Sequence, residues 1–221
     1  MLDRLLSILA PHYCSGCGNQ GGLLCGNCKY DIISDMTAGC VVCGAPAAAD
    51  GICGSCRTHY DRAWLIGERK GSLQRLIGLY KFERARAGHE ALADLLHAAL
   101  PQLPADAVVV PVPTLPAHIR QRGYDHMWLI ARRFARLRGL PVQRQLVRTS
   151  TTVQRGATAK VRRQQAKDAF GHVGTVSAGV PYVLIDDVMT TGATIEYAAK
   201  ELRAAGAAQV WVAVIARQTL D

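Results

Sequence analysis

Val183-Leu184-Ile185-Asp186-Asp187-Val188-Met189-Thr190-Thr191-Gly192-Ala193-Thr194 is the stretch that decides the fold. Its first residues continue an apolar run from Pro181, the pattern of a strand buried on both faces of a parallel sheet. Two carboxylates follow, then a hydroxyl-rich turn around one glycine. From Ala193 to Ala205 the spacing is helical, and Gly206 closes it. In open α/β sheets, ligands sit at the carboxyl ends of the strands. There Gly192 lets the backbone approach a ligand closely, and successive N–H groups at the helix start cup a dianion. Thr190, Thr191 and Thr194 add hydroxyl donors. Asp186 and Asp187 repel a phosphate but accept hydrogen bonds from vicinal sugar hydroxyls. The chemistry is that of a ribose 5-phosphate, and magnesium, which prefers oxygen ligands, suits the same groups. A helix cap alone needs one threonine, not this set. No G-x-x-x-x-G-K-[ST] nucleotide loop is present.

Outward from this turn, apolar strands alternate with helical spacings. Ala63–Ile66 reads as a short strand. Leu73, Leu76, Ile77 and Tyr80 recur at helical intervals, as do Ala91, Leu92, Leu95, Leu96 and Leu100 before Pro101 and Pro104. Residues 107–113 read as a buried strand running into a Pro-rich turn. A long basic helix spans roughly Asp125 to Arg138, closed by Gly139 and Pro141. Residues 143–168 have weak periodicity and read as exposed loop, and Val210–Ile215 is a last buried strand. This alternation predicts an α/β domain over 61–221, with a mostly parallel sheet covered by helices on both faces. Lys81, following the helix at Tyr80, could face the ligand pocket but reads first as a solvated lysine; the seven histidines show no paired ligand spacing and read as surface or packing residues.

All eight cysteines lie between Cys14 and Cys56, and all fall in C-x-x-C pairs. Cys14-x-x-Cys17-Gly18 precedes Cys25-x-x-Cys28, and 26 residues on, Cys40-x-x-Cys43-Gly44 precedes Cys53-x-x-Cys56. Residues 1–60 have too little apolar content for a core of their own, so metal must substitute for one. The repeat predicts two structural zinc ions in a double zinc ribbon, since four thiolates satisfy tetrahedral zinc and leave no place for water. Pairing of the ligand sets in sequence is the first reading, and interleaved pairing stays open. The apolar Leu5–Ala10 reads as a short packing helix rather than a secretory leader. No run is long enough to span a membrane, and a cytoplasmic protein is expected.

The chain carries a formal charge of +9, concentrated in one place. Residues 118–170 hold thirteen Lys and Arg against Asp125 and Asp168, a local balance of +11. Such a field attracts polyanions. Arg132, Arg133, Arg136, Arg144, Arg148, Arg155, Lys160, Arg162, Arg163 and Lys167 are the candidate nucleic-acid contacts, tracking a backbone because stacking aromatics are sparse there.

The run from Asp186 to Thr194 resembles the signature of type I phosphoribosyltransferases. With the cysteine repeat, Val110-Pro-Val-Pro113, Arg120-x-Arg122-Gly123-Tyr124, Gln154 and Ala169-Phe170, the whole chain is similar to the ComF family. These are bacterial amidophosphoribosyltransferase-like proteins linked to DNA uptake and natural transformation. The family usually reads Arg-Gly-Phe-Asn-Gln where this chain has Tyr124, Asp125 and His126 after Gly123. The resemblance implies a phosphoribosyltransferase-like domain binding phosphoribosyl pyrophosphate with magnesium. Asp186 and Asp187 would lie on the ribose hydroxyls, and Val188, Met189, Thr190, Thr191, Gly192, Ala193 and Thr194 around the 5-phosphate. Arg120 and Arg122, after the Val-Pro-Val-Pro turn, suit the pyrophosphate arm. The expected function is binding of phosphoribosyl pyrophosphate and single-stranded DNA, alongside other transformation proteins. The alternative is a transferase moving the phosphoribosyl group to a nitrogen acceptor, with Asp186, Asp187, Arg120 and Arg122 in the catalytic roles.

Overall fold

The computed structural model describes residues 11–36, 39–82, 87–149 and 169–218. The expected N-terminal helix lies outside them, as do Gln154, Arg155, Lys160, Arg162, Arg163 and Lys167. In chain order the elements are α1 (Gly26–Ser34), β1 (Arg62–Glu68), α2 (Gly71–Phe82), α3 (Gly88–Ala99), β2 (Val108–Pro111) and α4 (Pro116–Arg122). They continue with α5 (His126–Arg138), β3 (Leu146–Arg148), β4 (Phe170–His172), β5 (Pro181–Met189), α6 (Ala193–Ala204) and β6 (Gln209–Arg217).

Four strands pair in the order β1-β6-β5-β2, all parallel. In a parallel sheet both faces must be covered, and the residues along each strand sort accordingly. Val183 and Ile185 of β5 join one buried cluster, with Ile66, Val109, Trp211, Ala213 and Ile215. The helices α2, α3 and α5 close that face through Leu76, Ile77, Leu92, Leu96, Ile130 and Phe134. Tyr182 and Leu184 point the other way, into a second cluster with Val108, Val110, Val210, Val212 and Val214. Ile195, Ala198, Ala199 and Leu202 of α6 cover it, beside Leu146 and Phe170 of the β3–β4 pair.

Two elements differ from the sequence expectation. The Pro-rich turn after β2 contains α4, which has Pro116 in its first turn and Gly123 at φ 82° just past its end. That pairing of proline at the start and glycine beyond the end is a known helix signature, outweighed by the shortness of the segment. The stretch read as exposed loop from 143 opens with β3, antiparallel to β4. Within the two strands only Leu146 and Phe170 are buried, too few residues to produce a visible alternation.

The cysteine segment is built into the same cores. Leu23 and Ile32 join the first cluster, and Val41 and Tyr60 join the second. Arg75 of α2 donates to the carbonyls of Ser15 and Gly16. Arg217, at the end of β6, donates to those of Cys40 and Val41.

Phe134 is fully buried between α5 and the sheet. Phe134→Ala is expected to lower unfolding free energy by about 3–5 kcal/mol in urea titrations, since the cavity lies where the helix cannot collapse inward.

Candidate functional site

The carboxyl ends of β2 and β5 open onto a cavity of about 400 Å³ lined by Asp186, Asp187, Val188 and Thr194. Lys81 and Phe82 from the end of α2, Thr114, Arg122, His126 and Arg148 complete much of the wall. The two aspartates do different work. Asp187 is 4% exposed. Its Oδ2 lies 2.7 Å from Lys81 Nζ and 2.8 Å from His126 Nε2. Burial pushes the Asp187 carboxyl up, but the Lys81 ammonium and the His126 ring outweigh it and hold the group well below the usual carboxylate range. Asp186 is half-buried on the cavity wall, its Oδ1 accepting the Asp187 N–H at 2.9 Å. Burial and the neighbouring Asp187 charge push it up to about 7, with Lys81 and Arg148 opposing.

Of the two readings open for Lys81, solvated or facing the pocket, the structure takes the second. Lys81 sits in the last turn of α2, and only the fold brings that helix end to β5. His126, read like the other histidines as a surface or packing residue, is the other partner of Asp187. Arg122 Nη1 lies 2.8 Å from His126 Nδ1. A guanidinium only donates, so Nδ1 accepts and Nε2–H is left to face Asp187. Arg122 Nε also donates to the Lys81 carbonyl at 3.1 Å. Asp125 caps α5 by accepting the Trp128 N–H at 3.2 Å, and it accepts the Thr114 hydroxyl at 2.9 Å. Asp125 and His126, where the family reads Asn and Gln, therefore keep polar contacts at both positions.

The other sequence-derived residues divide by place. Arg120 is exposed and lies outside the cavity lining. Arg148, expected on a nucleic-acid surface, instead reaches the cavity, where its Nε donates to the Pro113 carbonyl at 3.1 Å over the Phe170 ring. Arg133 pairs with Asp94 at 3.5 Å, and Arg144 lies over Trp128 and pairs with Asp125 at 3.4 Å. Arg132 and Arg136 are exposed on α5. In the turn, Gly192 takes φ 75°, a left-handed geometry that disfavours any side chain. Val188 and Thr194 face the aspartate cavity. Thr190, Thr191, Gly192 and Ala193 line a second one toward the cysteine segment.

The cysteines gather in sequence. Cys14, Cys17, Cys25 and Cys28 form one set and Cys40, Cys43, Cys53 and Cys56 the other, with the sulfurs of each set within 4.8 Å of one another. Tetrahedral zinc with bonds of about 2.3 Å places its sulfurs about 3.8 Å apart. Cys17 and Cys25 Sγ are 3.7 Å apart, and Cys43 and Cys53 Sγ 3.6 Å. Each set fits one structural zinc. Gly18 and Gly44 take φ 76° and 79°, and their N–H groups return to the Cys14 and Cys40 carbonyls. That closure explains the glycine after the first pair of each repeat.

Two domain families match the chain: a double zinc ribbon domain over residues 5–57 and a phosphoribosyl transferase domain over residues 129–219. Competence protein F of Haemophilus influenzae is 33% identical over 181 residues, 75% of this chain and 78% of that protein. The chain belongs to the ComF family. The DNA utilization protein YhgH of Escherichia coli K12 is 30% identical, with 85% of this chain and 88% of that protein covered. The competence protein ComFC of Bacillus subtilis is 24% identical, over 84% and 80% of the two chains. In this ComF chain the two cysteine sets and the aspartate cavity lie in one structure joined through Arg75 and Arg217.

Metal analysis of the purified protein is expected to give two zinc per chain, and Cys43→Ser about one, with the first set still loaded. Equal loss from both sets in that variant would show that the ribbons do not bind metal separately.

Proposed function

We propose that this protein acts in DNA uptake by binding phosphoribosyl pyrophosphate with magnesium, and single-stranded DNA, in the cytoplasm with other transformation proteins. The observation that carries the ligand reading is the division between the aspartates. Asp187 is committed to Lys81 and His126, which leaves Asp186 on the cavity wall to meet sugar hydroxyls or a cation. Thr194 and the start of α6 lie beside it for the 5-phosphate. Arg69, Arg122 and Arg148 stand around the same cavity as counter-charges for pyrophosphate. Arg120 and Arg122 are proposed for that arm in unequal measure, Arg122 being the one at the cavity. The names of the relatives, with competence and DNA utilization in them, support the DNA-uptake setting.

The same cationic wall favours a second reading, transfer. A nitrogen nucleophile would attack C1, the C1–oxygen bond would break, and pyrophosphate would leave against Arg122 and Arg148. The acceptor's proton would pass to solvent. Release of pyrophosphate above the protein-free rate with any acceptor supports this reading over binding alone.

Calorimetry tests the ligand. Phosphoribosyl pyrophosphate with magnesium is expected to bind, and Asp186→Asn to weaken binding by about 1–3 kcal/mol through lost hydrogen bonds to the ribose. Asp186→Asn is the cleaner probe, because Asp187→Ala strands Lys81 and His126. Asp186 has a raised pKa near 7, so its proton favours the ligand-free protein at lower pH. The sugar and cation need the carboxylate, so affinity is expected to rise from pH 6 to 8. A flat profile, or none of this binding in the unmutated protein, removes the assignment.

For DNA, the described part of the basic stretch offers Arg132 and Arg136 as exposed contacts, with Arg144 beside them on Trp128. Exposed aromatics lie elsewhere. Tyr13 and Phe82 line one groove with Arg69 and Arg75, and Arg69 and Phe82 also line the aspartate cavity. Stacking on such rings contributes about 1–3 kcal/mol per base. Binding of an unstructured oligonucleotide is expected to fall steeply with salt, and Arg132→Glu with Arg136→Glu to weaken it at low salt. A shift independent of salt would remove the backbone-binding reading.

A further inference from the structure

Arg217 is the last residue of β6, the strand that lies between β1 and β5. Its backbone stands opposite Glu68 of β1 on one side and Met189 of β5 on the other. Just beyond it, the Gln218 N–H donates to the Met189 carbonyl at 2.8 Å. The Arg69 N–H donates to the Arg217 carbonyl at 2.7 Å, and Arg69 lines the aspartate cavity. The Arg217 side chain leaves the sheet altogether. Its guanidinium donates to the carbonyls of Cys40 and Val41, 177 and 176 positions earlier. We propose that Arg217 couples the zinc of the second cysteine set to the turn after β5, so that metal and ligand strengthen each other's binding.

The two ends of that link are ordered by different agents. Cys40 carries both a sulfur of the second set and the carbonyl that Arg217 holds. The same carbonyl accepts the Gly44 N–H at 2.8 Å, and the Cys40 N–H returns to the Ala45 carbonyl at 2.8 Å. Without an ion nothing draws the four sulfurs within 4.8 Å of one another, and the Cys40 and Val41 carbonyls lose their fixed places. At the other end, Met189 is buried in one cluster with Val41 and Ile195. Its sulfur lies 3.5 Å from where a Cβ on Gly192 would stand. The packing from Val41 to Met189 therefore reaches the glycine whose left-handed φ of 75° shapes the turn. A ligand at the turn and an ion in the second set order one connected span, and each lowers the ordering cost left for the other.

The first cysteine set is attached in another way. Arg75, which donates to the Ser15 and Gly16 carbonyls, stands in the middle of α2 and outside the aspartate cavity lining. That set serves as the internal control. Coupling between two sites spans about 5- to 150-fold and is equal in both directions, so ligand must hold zinc as firmly as zinc helps ligand. That the ligand is phosphoribosyl pyrophosphate rests on the reading given under the proposed function. That the turn responds to the metal does not.

Full-length, zinc-loaded protein is compared with Arg217→Gln, Arg217→Lys and Cys43→Ser. Both Arg217 variants are expected to keep the zinc content of the unmutated protein, which shows the modules folded. Without ligand, hydrogen exchange of residues 189–194 is expected to rise about tenfold in Cys43→Ser and Arg217→Gln. It rises less in Arg217→Lys, whose ammonium still donates to a carbonyl. In calorimetry, phosphoribosyl pyrophosphate with magnesium is expected to bind about five- to tenfold more weakly to Cys43→Ser and Arg217→Gln. Conversely, that ligand is expected to slow N-ethylmaleimide labelling of Cys40, Cys43, Cys53 and Cys56, mapped by mass spectrometry, but not that of the first set. In Arg217→Gln the protection disappears. Unchanged exchange at the turn in zinc-loaded Arg217→Gln overturns the coupling, as does equal protection of both cysteine sets. If Arg217→Gln loses metal, Arg217→Lys carries the same comparison. A turn that responds to zinc and to Arg217 in a protein blind to phosphoribosyl pyrophosphate supports the coupling and removes only the phosphoribosyl reading.

Discussion

A carboxylate buried at the end of a central strand keeps its charge only if a cation and hydrogen-bond donors are brought to it, and Asp187 imposes that demand on the surrounding helices. Lys81 arrives on the last turn of α2 and His126 on the first turn of α5. Arg122, from the end of α4, joins the two, donating to the Lys81 carbonyl and to the His126 ring. The contacts therefore close a ring: Asp187 to Lys81, Lys81 to Arg122, Arg122 to His126, and His126 back to Asp187. Removing one partner of such a buried set costs about 3–5 kcal/mol, because the others keep their burial and lose their compensation. The consequence for chemistry is a division of labour. Asp187 is held by these contacts, whereas the adjacent Asp186, its pKa raised, stays half-exposed on the cavity wall.

The zinc ribbons obey a different constraint. Residues 11–60 supply few large apolar side chains, and those that are buried pack on the sheet rather than on one another. Leu23 and Ile32 pack on one face, and Val41 and Tyr60 on the other. Duplicated modules thus end on opposite sides of the same four strands. Four thiolates around one ion give each module the rigidity that its own hydrophobic content cannot. Burial raises the Cys14 and Cys40 thiols, but backbone N–H groups outweigh it and bring both down to about 6. The backbone thus favours the thiolate form that metal requires.

Much of this was legible in the chain because it is local. The turn from Asp186 to Thr194 carries its own strand, glycine and helix start, and the cysteine spacing announces its ligands within each repeat. Apolar runs such as Val210–Ile215 needed only their own side chains to be read as buried strands. What stayed hidden depends on distance along the chain. Lys81 precedes its partner Asp187 by more than a hundred positions, and nothing in its neighbours distinguishes it from a solvated lysine. His126 was equally opaque, since a lone histidine gives no spacing to read. Sequential and interleaved cysteine pairing differ only in three dimensions, and the four-sulfur groups settle it. Among the short elements, α4 and β3 bury almost nothing, so hydrophobic periodicity had no signal to give.

The basic stretch shows how a charge block in sequence differs from a charged surface. Folding sorts its arginines into separate tasks. Arg138 donates to the carbonyls of His97, Leu100 and Pro101 at the exit of α3, satisfying a helix end rather than a ligand. Arg122 and Arg148 turn inward to the aspartate cavity, and Arg133 is paired to Asp94. The aromatics of the stretch are spent as well: Phe134 and Phe170 are buried, Tyr124 stacks on Tyr80, and Trp128 lies under Arg144. Among the described residues of α5, Arg132 and Arg136 are left facing solvent. A polyanion meeting this helix therefore feels two free guanidiniums, and each released counterion contributes about 0.7 to the salt slope for a single strand. The local balance of +11 overstates the field that α5 presents, because the fold has turned much of that charge toward its own carbonyls, carboxylates and aspartate cavity.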